Sequence, residues 1–125
     1  MRALVIDDAR AMRLVLRQIL HKLGFEVTEA GNGREGLEQL RRSGPPDVAF
    51  VDGYMPEMDG FAFIRAVRAD PGLSGLRVVM VTAADDPAQV AAALEAGADE
   101  YVVKPFNKET ILGKLDRLQT IGRPS

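Results

Sequence analysis

The chain has no cysteine and a single histidine among its 125 residues. Without cysteine there are no disulfides, no thiol catalysis and no cysteine-ligated zinc. His21 cannot form a histidine cluster, and its place near the end of a helical segment suits a solvated role favoured by the helix dipole. No apolar run approaches the ~20 residues a membrane helix needs. The stretch from Met1 to Ile6 is too short for a signal peptide before Asp7-Asp8 interrupts it. An excess of one charge is also missing: the net charge is -2 and the pI about 5.4, which leaves no electrostatic footprint for nucleic acid. These absences lead us to expect a cytoplasmic protein with neither membrane nor nucleic acid as partner. The hydrophobic fraction of 46% and the charged fraction of 27% are ordinary globular values, enough for one domain with one core.

Hydrophobic pattern gives strands and helices in alternation. Ala3-Leu4-Val5-Ile6 reads as a buried strand ending on Asp7-Asp8, and Met12, Leu16, Ile19, Leu20 and Leu23 fall at helical spacing before Gly24. Phe25 to Ala30 alternates like a half-exposed edge strand. Asn32 is placed to cap a helix with Leu37 and Leu40, and Ser43-Gly44-Pro45-Pro46 ends it. The run Val48-Ala49-Phe50-Val51 does not alternate, as in a strand covered on both faces, and it stops on Asp52. Asp59 then caps a helix carrying Phe61, Ile64 and Val67. Val78 to Val81 leads into Thr82. Asp86-Pro87 opens an alanine-rich helix closed by Gly97, and Glu100 to Val103 leads into Lys104-Pro105. A last helix runs from about Asn107 through Ile111, Leu115 and Leu118. About five strands alternating with five helices call for an α/β fold, a parallel sheet with helices on both faces.

Parallel strands point one way, so the residues that end them collect along one sheet edge, where open α/β folds bind ligands. Those residues are Asp7, Asp8, Asp52, Thr82 and Lys104. Three crowded carboxylates repel in a partly desolvated cleft, and one protonates unless a cation intervenes. Mg²⁺ suits a site with few carboxylates and positions left open for water or phosphate. A carboxylate nucleophile, a metal, an ammonium and a hydroxyl together can stabilise a transferring phosphoryl group.

Asp7-Asp8, the Asp52-x-x-Met55-Pro56-x-Met58-Asp59-Gly60 run, Thr82 and Lys104-Pro105-Phe106 resemble the receiver domain of two-component response regulators, over essentially the whole chain. The resemblance implies a doubly wound five-stranded parallel sheet of order 2-1-3-4-5, the flavodoxin-like receiver fold. It implies that Asp52 accepts a phosphoryl group from a sensor histidine kinase or histidine phosphotransfer protein. Asp7 and Asp8 would hold Mg²⁺ with Asp52 and the backbone carbonyl of Tyr54. Lys104 would pair with the aspartate and then with the phosphoryl group, Thr82 would bond a phosphoryl oxygen, and Tyr101 would be the aromatic switch residue. Asp59 is more simply a helix cap, and Tyr101 taken alone reads as an edge-strand aromatic. The isomer of the Lys104-Pro105 peptide is left open.

Three residues depart from the family's common pattern. Gly53 is smaller than the hydrophobic residue usual after the acceptor, which bears on the packing of the loop. Tyr54 and Ala84, each two residues beyond a site residue, face the expected path of attacking water, and Tyr54 is expected to screen it. Three rivals are weaker. An aspartate-nucleophile phosphatase of the haloacid dehalogenase type would place a second Asp where Tyr54 stands. A flavodoxin-like carrier would follow its first strand with a hydroxyl- and glycine-rich loop rather than Asp7-Asp8-Ala9-Arg10. A receiver that has lost its chemistry would not keep all five site residues. The expected organisation is a receiver domain over 1–121 and a loose tail over 122–125, acting as a monomer. It is expected to signal by protein contact as a switch rather than an enzyme on other substrates.

Overall fold

The computed structural model describes residues 1–82 and 87–118. Strands β1 (Arg2–Ile6), β2 (Glu26–Ala30), β3 (Val48–Asp52), β4 (Arg77–Thr82) and β5 (Glu100–Val103) alternate with helices α1 (Arg10–Lys22), α2 (Gly33–Ser43), α3 (Gly60–Ala69), α4 (Pro87–Ala96) and α5 (Lys108–Arg117). All strand pairs are parallel and the order is β2-β1-β3-β4-β5, the doubly wound sheet expected. Asp86, Ala84 and the tail 122–125, singled out in the sequence, lie outside the described residues.

Alternation along the strands sorts the core into two layers. Leu4, Ile6, Ala49, Val51, Val78 and Met80 pack with Leu37, Leu40, Phe63, Ile64, Val67 and Ala93 of α2, α3 and α4. Ala3, Val5, Val48, Phe50, Val79, Val81 and Val102 pack with Leu16, Leu20, Ile111 and Leu115 of α1 and α5. Both faces of the central strand are therefore covered, which is why its sequence runs apolar without alternation. The edge strand β2 keeps only Ala30 fully buried.

Side-chain caps fix where three of the helices start. Asn32 accepts from the Glu35 amide, Asp59 from Ala62 and Asn107 from Thr110, each worth about 1 kcal/mol. The α3 to β4 connection is held by Arg68, whose guanidinium donates to the carbonyls of Ser74, Leu76 and Gly97 and to Asp99 Oδ2. Glu100, a buried acid, pairs with Lys114 and Arg117 of α5.

Candidate functional site

The sheet continues one hydrogen bond past the ends of β1, β3 and β5, and this aligns the side chains that follow. The Asp7 amide donates to the Ala30 carbonyl at 3.1 Å, Gly53 to Val81 at 3.1 Å and Lys104 to Thr82 at 2.7 Å. Asp7, Asp52 and Lys104 are thereby drawn to one edge. Asp8 follows Asp7, and the four ionisable groups expected there meet: carboxylate oxygens of Asp7, Asp8 and Asp52 all lie within 4.8 Å of one another. Lys104 Nζ stands 3.5 Å from Asp7 Oδ2 and 3.4 Å from Asp52 Oδ1. The Lys104-Pro105 peptide is cis.

Exposure divides the cluster. The side chains of Asp7 and Asp52 are 3% and 12% exposed, while Asp8 faces solvent. Asp7 is fixed from two sides: its Oδ1 accepts from the Ala9 amide at 2.8 Å, and its carbonyl accepts from Arg13 Nη1 at 2.6 Å. Arg13 is itself paired with Glu29 on β2 at 3.1 Å. Burial pushes the Asp52 carboxyl above its usual range, and the Asp7 charge pushes the same way. Lys104 pulls it down but does not cancel them.

The loop after Asp52 is shaped by close backbone packing. The Gly60 amide donates to the Gly53 carbonyl at 3.0 Å, and a Cβ on Gly60 would run into the Asp52 carbonyl. Glu57 takes a positive φ of 68° and its carboxylate accepts from the Asn32 side chain at 2.9 Å. The Gly33 amide reaches the Met58 carbonyl, so α2 braces the loop. At Gly53 a Cβ would meet Met80 and Phe61 at 3.4 and 3.6 Å, ordinary contact, so the ring of Phe61 and the Met80 thioether already occupy the surroundings of the missing side chain.

Tyr54, Thr82 and Tyr101 lie around this centre. Tyr54 is 59% exposed and its ring rests edge-on against Phe61, with centroids 5.9 Å apart, along an open groove shared with Ala88, Gln89 and Ala92. Thr82 is buried, and its hydroxyl donates to Gln89 Oε1 at 3.2 Å. Tyr101 is half-buried on the edge strand β5, paired in register with Met80, and Lys114 Nζ sits 4.6 Å from its ring centroid. Gln89 and Arg13 were missed by sequence reasoning. Neither has a spacing signal, because each is brought to its partner by a neighbouring helix.

The family model for the response regulator receiver domain matches residues 3–116. The chain belongs to the response regulator receiver domain family. It is 38% identical to the chemotaxis protein CheY1 of Helicobacter pylori over 93% of this chain and 94% of that one. It is 36% identical to a CheY homolog of Campylobacter jejuni, over 93% and 90%. Among solved structures, the chemotaxis response regulator CheY4 of Vibrio cholerae superposes with a TM-score of 0.86 at 34% identity, covering 94% of this chain and 97% of that one. A putative response regulator from Chloroflexus aurantiacus gives 0.89 at 31% identity, covering 94% and 95%. The fold is the CheY-like flavodoxin fold, and membership places this receiver domain in phosphorylation-dependent two-component signalling. Its acidic cluster is compatible with Mg²⁺, and among the described residues no helix is long and apolar enough to cross a membrane.

Proposed function

We propose that this receiver domain is a switch set by a phosphoryl group on Asp52, taken from a sensor histidine kinase or a histidine phosphotransfer protein. The observation that carries the reading is the convergence of three carboxylates, two of them on one ammonium, with Asp52 both shielded from water and raised in pKa. Asp7, Asp8 and Asp52 would hold Mg²⁺ with the Tyr54 carbonyl; three hard oxygen donors of like charge are the donor set such an ion takes. When bound, the ion neutralises the carboxylates and draws charge from phosphoryl oxygens.

Each residue then has a defined task. An Asp52 oxygen forms the new bond to phosphorus as the phosphorus–nitrogen bond of phosphohistidine breaks, and the electron pair leaves with the imidazole. Lys104 moves from the carboxylate to an oxygen of the transferred group, and the buried Thr82 hydroxyl donates to another. Tyr101 shares the Thr82 side of the sheet and turns inward as the hydroxyl leaves, which changes the surface over β5, α4 and α5. Output is by protein contact, with the domain acting as a cytoplasmic monomer. Turnover is confined to its own phosphorylation and hydrolysis, with Tyr54 slowing the approach of water.

The metal is tested by melting. Millimolar Mg²⁺ should raise the melting temperature, because it binds the folded site and not the open chain. Asp8→Ala should remove most of that rise. A wild-type melting curve indifferent to Mg²⁺ would contradict the metal set.

A further inference from the structure

We propose that Gln89 is a positioning residue that holds Thr82 in its resting rotamer, so that the Thr82 hydroxyl proton must be won from Gln89 before it can serve a phosphoryl group. This rests on reading Asp52 as the acceptor. A threonine hydroxyl has one proton to donate, and Gln89 Oε1 stands 3.2 Å from it as an acceptor. Thr82 is only 5% exposed, so bulk water does not compete freely for it. The two ends of the choice lie on opposite sides of the sheet. By strand alternation Thr82 follows Met80 toward the α3–α4 layer, whereas Asp52 follows Phe50 toward the α1–α5 layer. Serving a group on Asp52 therefore requires the hydroxyl to swing over the end of β4, and that swing breaks the bond to Gln89.

The same bond ties down the start of α4. Gln89 stands in the first turn of a helix whose buried residue is Ala93 alone. The far end is anchored by Arg68, which donates to the Gly97 carbonyl at 2.9 Å. Losing the Thr82 bond removes one tie on the first turn while the Arg68 anchor stays. Gln89 is thus the point at which a phosphoryl group near β4 is felt by α4.

The test is a cycle of four proteins: wild type, Gln89→Met, Thr82→Val and the double variant. Methionine keeps the length and helix propensity of glutamine but lacks its strong acceptor. The readouts are the initial rate of labelling by acetyl phosphate with Mg²⁺, followed by intact-protein mass spectrometry, and amide exchange over 88–91 without donor. Gln89→Met should label up to roughly fivefold faster than wild type, the equilibrium worth of one neutral hydrogen bond, and should exchange faster at the start of α4. In the Thr82→Val background the same substitution should change neither readout. Equal labelling of wild type and Gln89→Met would overturn the inference, as would an equal gain with and without the Thr82 hydroxyl. If wild type takes no label at all, the reading of Asp52 fails and the inference falls with it.

Discussion

Ionising Asp52 costs free energy in the metal-free protein. Burial disfavours its charge first, Asp7 adds repulsion, and Lys104 repays only part. A carboxyl with a folded pKa above its unfolded value binds protons more tightly when folded, so stability falls as pH rises through that window and the penalty is complete above the raised value. Asp52→Asn should therefore melt higher than wild type at pH near neutral without Mg²⁺, and the gap should close in acid. Scanning calorimetry at two pH values reads this; a variant that melts lower at neutral pH would contradict it. Glu29 shows the opposite sign. Burial works against its charge, but hydrogen bonds from Arg17 and Arg13 outweigh that and hold its carboxyl below the usual range. Its contribution is present above about pH 4.5 and is lost as pH falls through the lowered value. Glu29→Gln should cost about 0.5–1 kcal/mol in urea unfolding at neutral pH and less in acid. A cost that persists unchanged in acid would show that the ion pairs do not carry it.

Among the elements, the β3 to α3 loop is the one whose geometry depends most on a single small residue. Gly60 opens α3 against the backbone of Asp52, where a Cβ would meet the carbonyl rather than a yielding side chain. Gly60→Ala should cost about 1–3 kcal/mol through backbone displacement and should slow labelling at Asp52. Denaturation with urea measures the first effect; a stability within error of wild type would mean that the loop shifts freely. Gly53 is different, since its surroundings accept a Cβ at ordinary contact distances. The small residue after Asp52 is a local packing solution with Phe61 and Met80, not a requirement of the backbone.

For the molecule as a whole, what the sequence made legible follows from periodicity and from parallel topology. Unbroken apolar runs marked β1 as buried and β3 as doubly covered, alternation marked β2 as an edge, and caps at Asn32 and Asp59 marked two helix starts. Once the strands are parallel, the residues that end them must meet, so Asp7, Asp8, Asp52 and Lys104 could be grouped without coordinates. Contacts made across layers were not legible. Gln89 reaches Thr82 and Arg13 reaches the Asp7 carbonyl only because α4 and α1 pack beside those strands. The resting place of the Tyr54 ring against Phe61 likewise depends on how α3 meets the loop.

The proposed switch stands or falls with phosphoryl chemistry at Asp52. The direct measurement is peptide mass spectrometry after incubation with acetyl phosphate and Mg²⁺, with Asp52→Asn alongside. An acyl phosphate is a mixed anhydride, so the adduct should survive acid and be lost in base. One added phosphoryl group is expected, located on Asp52 in wild type and absent from Asp52→Asn. Equal labelling of that variant, or a phosphoryl group found on another residue, would contradict it.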